Sequence, residues 1–561
     1  MIIGSQLRDA LISGANCIAN HRAEVDELNI FPVPDGDTGT NMSMTIGAAM
    51  QELVKLDDGE TAGKIAKANA SALLRGARGN SGVILSLLFR GFSKGLEGKD
   101  EADAEALVSA LEMGVDAAYK AVMKPTEGTI LTVARLASVA GRQALELTAD
   151  PVEVWDAICT GAADALATTP DLLPVLKKAG VVDAGGKGLC LIFEGMQSVF
   201  RDGVIVETKA EAKISSEEAF RNAAAEFDEV INFTYCTEFI VGRDPEIDKE
   251  PAELRAYLET IGDCVLVVDD DDIIKVHVHT ENPGNALQAG LGFGSLLTVK
   301  IENMKEQHRK NSEANEAKKA EAAVEEEVAE PQRPEPVDPE EGVGFVAVAA
   351  GDGLHALFSD LGCAQVVSGG QTMNPSTNDI VDAIRAVPAT TVFVLPNNKN
   401  IIMAAQQAID ICTERKVIVL PTRTIPQGMS AMLAYDPDSD DETNTELMME
   451  AAGNVSTGQV TFAARDSDFG GFKIKEGDML AMENGKLVFT EKEDPVRTTY
   501  RLVRSMASRD TAFVTVIYGE DVTDEQAEKL QSMLESKLGD DVEITLINGG
   551  QPVYYFIVSI E

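Results

Sequence analysis

The sequence predicts a multidomain protein: an all-α domain first, a small α/β domain next, and a two-lobed α/β domain last. Three observations carry that prediction. From Ser5 to about Arg201, alanine-rich and leucine-rich segments repeat apolar residues at every third or fourth position, the spacing that gives a helix one buried stripe. From Phe233 to Thr280, short runs of β-branched and aromatic residues replace that period. Beyond Val343, continuous apolar runs each lead into a polar loop, as strands of a helix-covered parallel sheet do. At 561 residues the chain is too long for one core. The boundaries fall at 1–205, 206–310, an acidic linker at 311–341, and 342–561.

Composition narrows the partners. The net charge of −44 leaves no basic footprint for a phosphate backbone, so nucleic acid is excluded as a partner. No run approaches the roughly 18 apolar residues of a membrane span, and so acidic a surface is repelled by anionic lipid; direct membrane insertion is not expected. The stretch from Met1 to Asp9 lacks the basic and long apolar parts of a secretory signal, which predicts cytoplasmic residence. Seven cysteines without paired spacing argue against a disulfide framework.

Within the helical region four connections are unusual. Asn29 to Met42, NIFPVPDGDTGTNM, alternates the carboxylates Asp35 and Asp37 with glycines and follows them with Thr38, Thr40 and Asn41. Hard oxygen ligands in a tight turn suit Mg²⁺, which keeps part of its shell for water and substrate phosphates. An ordinary Asp-Gly turn entering a helix is the simpler account of that stretch taken alone. Arg75 to Gly82, RGARGNSG, leads straight into an apolar helix whose first N–H groups can meet an anion. Pro125 to Leu131 carries EGT, and Val182 to Leu189, VDAGGKGL, opens another apolar helix. For each glycine loop alone, helix capping and tight packing explain the glycines as well as phosphate binding does.

The four motifs in this order resemble the nucleotide-binding domain of the dihydroxyacetone kinase family. That resemblance implies an antiparallel barrel of eight helices holding ATP and two Mg²⁺ ions at one end. It implies that Asp35 and Asp37 hold magnesium, with Asn29 beside them, and that Thr38, Thr40 and Asn41 touch phosphates or complete the metal shell. The backbone of Gly79, Asn80, Ser81 and Gly82 would cradle the phosphate chain, and Thr129 with Asp183, Gly185 and Gly186 would close over the nucleotide. The ketone kinases carry a further aspartate before the Asp-Gly-Asp pair and a histidine after it, where Asn29 and Thr38 stand here. A changed acceptor is expected.

In the middle domain the strands read Phe233 to Val241, Cys264 to Val268 and Ile273 to Thr280, with a helix over Pro251 to Ile261. His277 and His279 sit two residues apart on one strand, which sends both to one face, and Cys236 lies on another strand. Those residue types suit a roughly tetrahedral ion such as Zn²⁺, although a histidine pair on a sheet face needs no metal.

The segment from Asn311 to Glu341 has eleven acidic residues, three basic ones and four prolines, a composition that self-repels and stays extended; it is read as a flexible linker. After it, Val343 to Ala349, Thr391 to Leu395 and Lys416 to Leu420 read as parallel strands. Ligands meet such sheets at the loops after the strands, which singles out Gly351 to His355, Ser368 to Thr377, Pro396 to Asn400 and Pro421 to Gly428. His355 is read equally as a substrate anchor or as a surface histidine. A second α/β lobe is expected around Gly458 to Arg465, Ala512 to Tyr518 and Val553 to Ile560. Together these lobes resemble the fold of fatty-acid-binding DegV-type proteins.

As a whole the chain is similar to the catalytic-subunit family of bacterial fatty-acid kinases. That resemblance implies zinc on Cys236, His277 and His279, and ATP-dependent phosphorylation of a fatty-acid carboxylate presented by a separate DegV-type carrier. The acyl phosphate would feed phospholipid synthesis, with the C-terminal domain as a carrier-docking or dimerisation module of a homodimer. A kinase for a dihydroxyacetone-like small molecule, and a non-catalytic nucleotide-binding regulator, are the alternatives. Turnover without a carrier would mark the first, and a cellular role that survives loss of Asp35 or Asp37 the second.

Overall fold

The computed structural model describes the chain except residues 30–36, 123, 210–233, 244–246, 248, 250, 270–272, 304–333, 371–372, 470, 493 and 540. The chain divides into two compact units, one of Met1–Thr208 with Arg333–Glu561 and one of Lys209–Gln332. Among the described residues no helix is long and apolar enough to cross a membrane.

The first 208 residues build a helical barrel. Its long helices are α1 (Gly4–Asn20), α3 (Thr38–Leu53), α4 (Ala62–Gly76), α5 (Gly79–Gly95), α6 (Ala104–Ala121), α7 (Ile130–Ala144), α8 (Pro151–Leu172) and α10 (Ala184–Asp202), with short α2 (Arg22–Glu27) and α9 (Pro174–Ala179) between them. Each long helix packs on the next, and α1 packs on α10, which closes the ring. The closing seam is made of small residues: a side chain on Gly195 would strike Gly14 and the backbone of Ser13, and the hydroxyls of Ser13 and Ser198 lie 3.1 Å apart. Fully buried Trp155 of α8 packs edge-on to Phe193 and Phe200 of α10, its indole N–H donating to the Phe193 carbonyl.

The second unit is a four-stranded antiparallel sheet in the order β2-β3-β1-β4, made of β1 (Tyr235–Arg243), β2 (Gly262–Asp269), β3 (Ile273–Thr280) and β4 (Gly294–Asn303). Helices α11 (Pro251–Leu258) and α12 (Pro283–Gly290) cover the face that buries Phe239, Val241, Val276 and Val278. Strand β4, GSLLTVKIEN, is an addition to the three strands expected; several of its large apolar residues are exposed, including Leu297 and Val299, so its burial pattern is weak.

The C-terminal domain has two lobes. In the first, β5 (Val343–Ala349), β6 (Gln365–Ser368), β7 (Thr391–Leu395) and β8 (Lys416–Val419) form an all-parallel sheet in the order β6-β5-β7-β8. Helices α13 (Asp352–Asp360), α14 (Thr377–Arg385), α15 (Ile402–Ile411), α16 (Ile425–Leu433) and α17 (Asp441–Asn454) belong to it. The second lobe has β9 (Ser456–Phe462), a two-stranded ribbon of β10 (Ser467–Phe469) and β11 (Phe472–Ile474), then β12 (Asp478–Glu483), β13 (Lys486–Lys492), β14 (Phe513–Tyr518), β15 (Glu543–Asn548) and β16 (Tyr554–Ile560), with a six-stranded mixed sheet in the order β13-β12-β9-β16-β14-β15. The expected linker ends earlier than its composition suggests. Val337 donates to the Arg385 carbonyl and accepts from Arg415, whose buried guanidinium also gathers the Ile384 and Val387 carbonyls, so residues 334–341 run along the first lobe. The rest of that segment lies outside the described residues.

The first lobe is docked on the barrel. One apolar cluster continues from Ala72, Leu73 and Leu87 of the barrel to Ile380, Ala404 and Ala405 of the lobe. Polar contacts cross the same face. Thr377 N–H donates to the Ala77 carbonyl at 3.0 Å, and buried Gln407 donates to Ser86 at 3.0 Å.

Candidate active site

At one end of the barrel the four connections meet around a cavity of about 490 Å³. Asn29, Asp37, Thr38 and Asn41 come from the first connection, Asn80, Ser81 and Ile84 from α5, and Thr129 and Ile130 from the start of α7. Val175 and Leu176 of α9, and Asp183, Ala184 and Gly185 at the start of α10, complete the barrel's share. Asp35 lies outside the described residues, and among those described no three His, Cys, Asp or Glu side chains cluster closely enough to hold a metal.

The first turn of α5 is open to an anion. Its N-cap, Arg78, makes no side-chain cap, so the leading N–H groups at this end of the helix have no partner from the N-cap side chain. Asn80 Oδ1 is buried with no hydrogen-bond partner, an unsatisfied acceptor in the cavity wall that a bound group can satisfy. Gly79 takes φ +57°, and a side chain there would fall on the Asn41 amide. Gly82 serves packing instead, since a side chain there would fall on Thr45 Oγ1; this glycine lets α5 approach α3.

At α10 the polarity is reversed. Asp183 is itself the N-cap, accepting from Gly186 N–H at 2.7 Å, and Gly186 is pressed against Val133 and Leu166. Burial pushes the Asp183 carboxyl up to about 6, opposed by the bonds it accepts from the backbone at Gly186 and Ile130. Gly186 therefore serves the cap and the helix packing and is not in the cavity wall.

Other side chains settle the geometry. Thr38 Oγ1 donates to Asn29 Oδ1 at 2.9 Å, which occupies part of the Asn29 carbonyl offered as a metal neighbour. Thr40 turns away from the cavity: its N–H and hydroxyl bond to Asp26 at 3.0 and 2.8 Å, making Asp26 the brace of the α3 N-terminus. Thr40, expected to touch phosphate or to complete the metal shell, is not among the described residues that line the cavity. In the EGT loop, Glu127 accepts from Thr132, Arg135 and Tyr119, which hold its carboxyl below the usual range, Thr132 first, and fix the loop that presents Thr129.

Sequence reasoning missed the contribution of the C-terminal domain. Lys399 and Asn400 line the same cavity, Asn374 donates to Asp37 Oδ2 at 2.5 Å, and Asn80 donates to Asn400 at 3.3 Å. Arg78 ties the two parts together through the Asn374 carbonyl at 2.7 Å and Asp379 at 3.5 Å. These residues stand some 300 positions from the loops they meet, with no local signal to announce them.

The loops after the parallel strands line a second, smaller cavity of about 210 Å³ between the lobes, with Gly369, Asn397, Lys399, Arg423 and Thr424 on one side and Gln459, Met482 and Tyr554 on the other. His355 is not among its walls; the ring is half-buried and lies 3.3 Å from the Ser368 hydroxyl.

In the second unit the strand register sets Cys236 opposite His279, and Glu238 opposite His277. Those four positions share the sheet face away from Thr237, Phe239 and Val278, which are buried. The side chains of Cys236 and His277 lie outside the described residues.

Comparisons with known proteins agree along the chain. Residues 32–198 match the DAK2 domain, 232–311 the FakA-like middle domain of fatty acid kinase, and 344–561 the FakA-like C-terminal domain. Protein YloV of Bacillus subtilis is 42% identical over 564 residues, covering 100% of this chain and 99% of YloV. Among solved structures, the DegV family protein Cg2579 of Corynebacterium glutamicum overlaps 39% of this chain and 97% of its own at 12% identity, with a TM-score of 0.32. The dihydroxyacetone kinase of C. freundii, solved with AMP-PNP and Mg²⁺, overlaps 34% of this chain and 33% of its own at 18% identity, with a TM-score of 0.28.

Proposed function

The chain belongs to the FakA-like fatty acid kinase family, and from that premise we propose that it transfers the γ-phosphoryl group of ATP to the carboxylate of a fatty acid presented by a separate fatty-acid-binding protein. The product is an acyl phosphate, a precursor for phospholipid synthesis. What supports this reading most is the single cavity in which Asp37, Thr38, Asn41, Asn80, Ser81, Thr129 and Asp183 converge. The open N-terminus of α5 and the unsatisfied Asn80 oxygen fit a phosphate chain and its metal.

In this reading Asp35 and Asp37 hold the magnesium ions, which supply neutralising charge to the phosphates. The N–H groups of Gly79, Asn80 and Ser81 position the phosphate chain. Thr129 and the Asp183–Gly185 loop enclose the rest of the nucleotide, against Ile84, Ile130 and Leu176. The acceptor needs no general base, because a carboxylate is already ionised at neutral pH. The protein's work is to align it and to exclude water.

The test incubates the protein with ATP, Mg²⁺ and an oleate-loaded carrier and traps acyl phosphate with hydroxylamine. Acyl hydroxamate is expected from the native protein and not from Asp37→Asn. Product formed only from small polyols, without a carrier, would replace this reading with the ketone-kinase one. In the second unit, the opposed register of Cys236 and His279 supports a structural zinc on Cys236, His277 and His279. Elemental analysis should find about one zinc per chain, lost in His277→Ala; a metal-free native protein would refute it. Light scattering tests the homodimer.

A further inference from the structure

Phosphoryl transfer to a carboxylate brings an anion up to a polyanion, and most of the catalytic gain comes from fixed positive charge around the group in flight. The barrel supplies little of it. Among the described residues lining the nucleotide cavity, its own contributions are carboxylates, amides, hydroxyls and apolar groups, and the one cation is Lys399 from the C-terminal domain.

Lys399 does not sit on a loose tip. Asn398, before it, donates to the Gly370 carbonyl, and Asn400, after it, donates its N–H to Asn398 Oδ1 at 2.9 Å while its own amide oxygen accepts from Asn80. The lobe carrying this turn is fastened to the barrel beside the phosphate loop, through Arg78 to Asn374 and Asp379 and through Ser86 to Gln407. Lys399 also borders the cavity between the lobes, so it stands at the junction of the two spaces.

We propose that Lys399 is a catalytic residue of this site, its ammonium neutralising charge on the phosphoryl group in transfer, with Arg78, Asn374 and Asn400 as the positioning residues that seat it. The inference rests on reading the barrel cavity as the ATP site. It makes the docked C-terminal lobe part of the active centre as well as a docking module. In the step, a carboxylate oxygen forms a bond to the γ-phosphorus as the bond from phosphorus to the β–γ bridging oxygen breaks, and ADP leaves with that electron pair. No proton changes hands, and the lysine keeps its charge throughout.

The test uses the full-length chain, with hydroxylamine-trapped acyl phosphate for turnover and a fluorescent ADP analogue for affinity. Lys399→Gln should lower kcat by about 100- to 1,000-fold while nucleotide Kd moves less than about threefold, and Lys399→Arg should recover part of the rate. Arg78→Ala should lower kcat by a smaller factor with KM for ATP preserved. A kcat unchanged in Lys399→Gln overturns the proposal. So does a kcat that rises in Arg78→Ala, which would make the docked lobe an obstruction. If the native protein forms no acyl phosphate, the functional reading fails and Lys399 is judged on Mg²⁺-dependent ATP hydrolysis, where the same loss is expected. A native protein that neither transfers nor hydrolyses overturns both.

Discussion

The two glycine-rich loops, Arg75 to Gly82 and Val182 to Leu189, look alike in sequence and differ in charge once folded. Each opens an apolar helix, and each has a glycine pressed against a neighbouring helix, Gly82 on Thr45 and Gly186 on Val133. At α5 no side chain caps the N-terminus and the acceptor of Asn80 is left over; at α10 a buried carboxylate already occupies the cap. The lesson is that glycine content marks where backbones come close, while the residue at the N-cap decides whether the helix end is free for an anion.

Three tests would break or sharpen that contrast. The largest effect on binding is expected from adding a carboxylate to the open end: Ser81→Asp should weaken nucleotide binding about 30-fold more than its uncharged counterpart Ser81→Asn, measured by titration at low salt. Equal weakening by both would mean that α5 is not where the negative charge sits. Next, Gly82→Val and Gly186→Val should each destabilise the barrel by about 2–3 kcal/mol in denaturant unfolding, since each forces a side chain into a filled crossing. If only one does, the two loops are less alike in packing than their contacts suggest.

The last test concerns the occupied cap. Folding raises the Asp183 carboxyl to about 6, above its unfolded value, so the folded state binds the proton more tightly. Its contribution to stability is therefore greatest at low pH and is lost as pH rises toward and through about 6, by about 3 kcal/mol. Asp183→Asn keeps an acceptor for Gly186 N–H and removes the titration. Compared with the native protein, the variant should gain stability between about pH 4 and about pH 7 by that amount in urea unfolding. An unchanged difference across that range would refute the buried-acid account.

The helices and the four unusual loops were legible because their signals are local, a helical period and oxygen ligands crowded between glycines; the barrel itself was implied by the resemblance that the four motifs carry. What escaped was set by distance or by exposure. Thr40 has the right chemistry for a phosphate contact, yet Asp26, fourteen positions earlier, takes both its N–H and its hydroxyl. Lys399, Asn374 and Asn400 carry no motif and reach the cavity only because the parallel-sheet lobe docks on α4 and α5. In the second lobe, the strand Lys486–Lys492 is half-buried at every position between its exposed ends, so no alternation betrays it. The acidic segment misled at its end, where Arg415 gathers the Val337 carbonyl and binds the final residues to the lobe.

The seam between α1 and α10 has a consequence for how the molecule is made. Its partners, Ser13 and Ser198, are 185 positions apart, so the barrel's first helix, once synthesised, waits for its last. At ordinary synthesis rates that wait is roughly 10–40 s, during which the apolar stripe of α1 has no final neighbour. Barrel closure is a late, high-contact-order event. The nascent chain passes through a stage in which a chaperone has its best opportunity to hold the N-terminal helix.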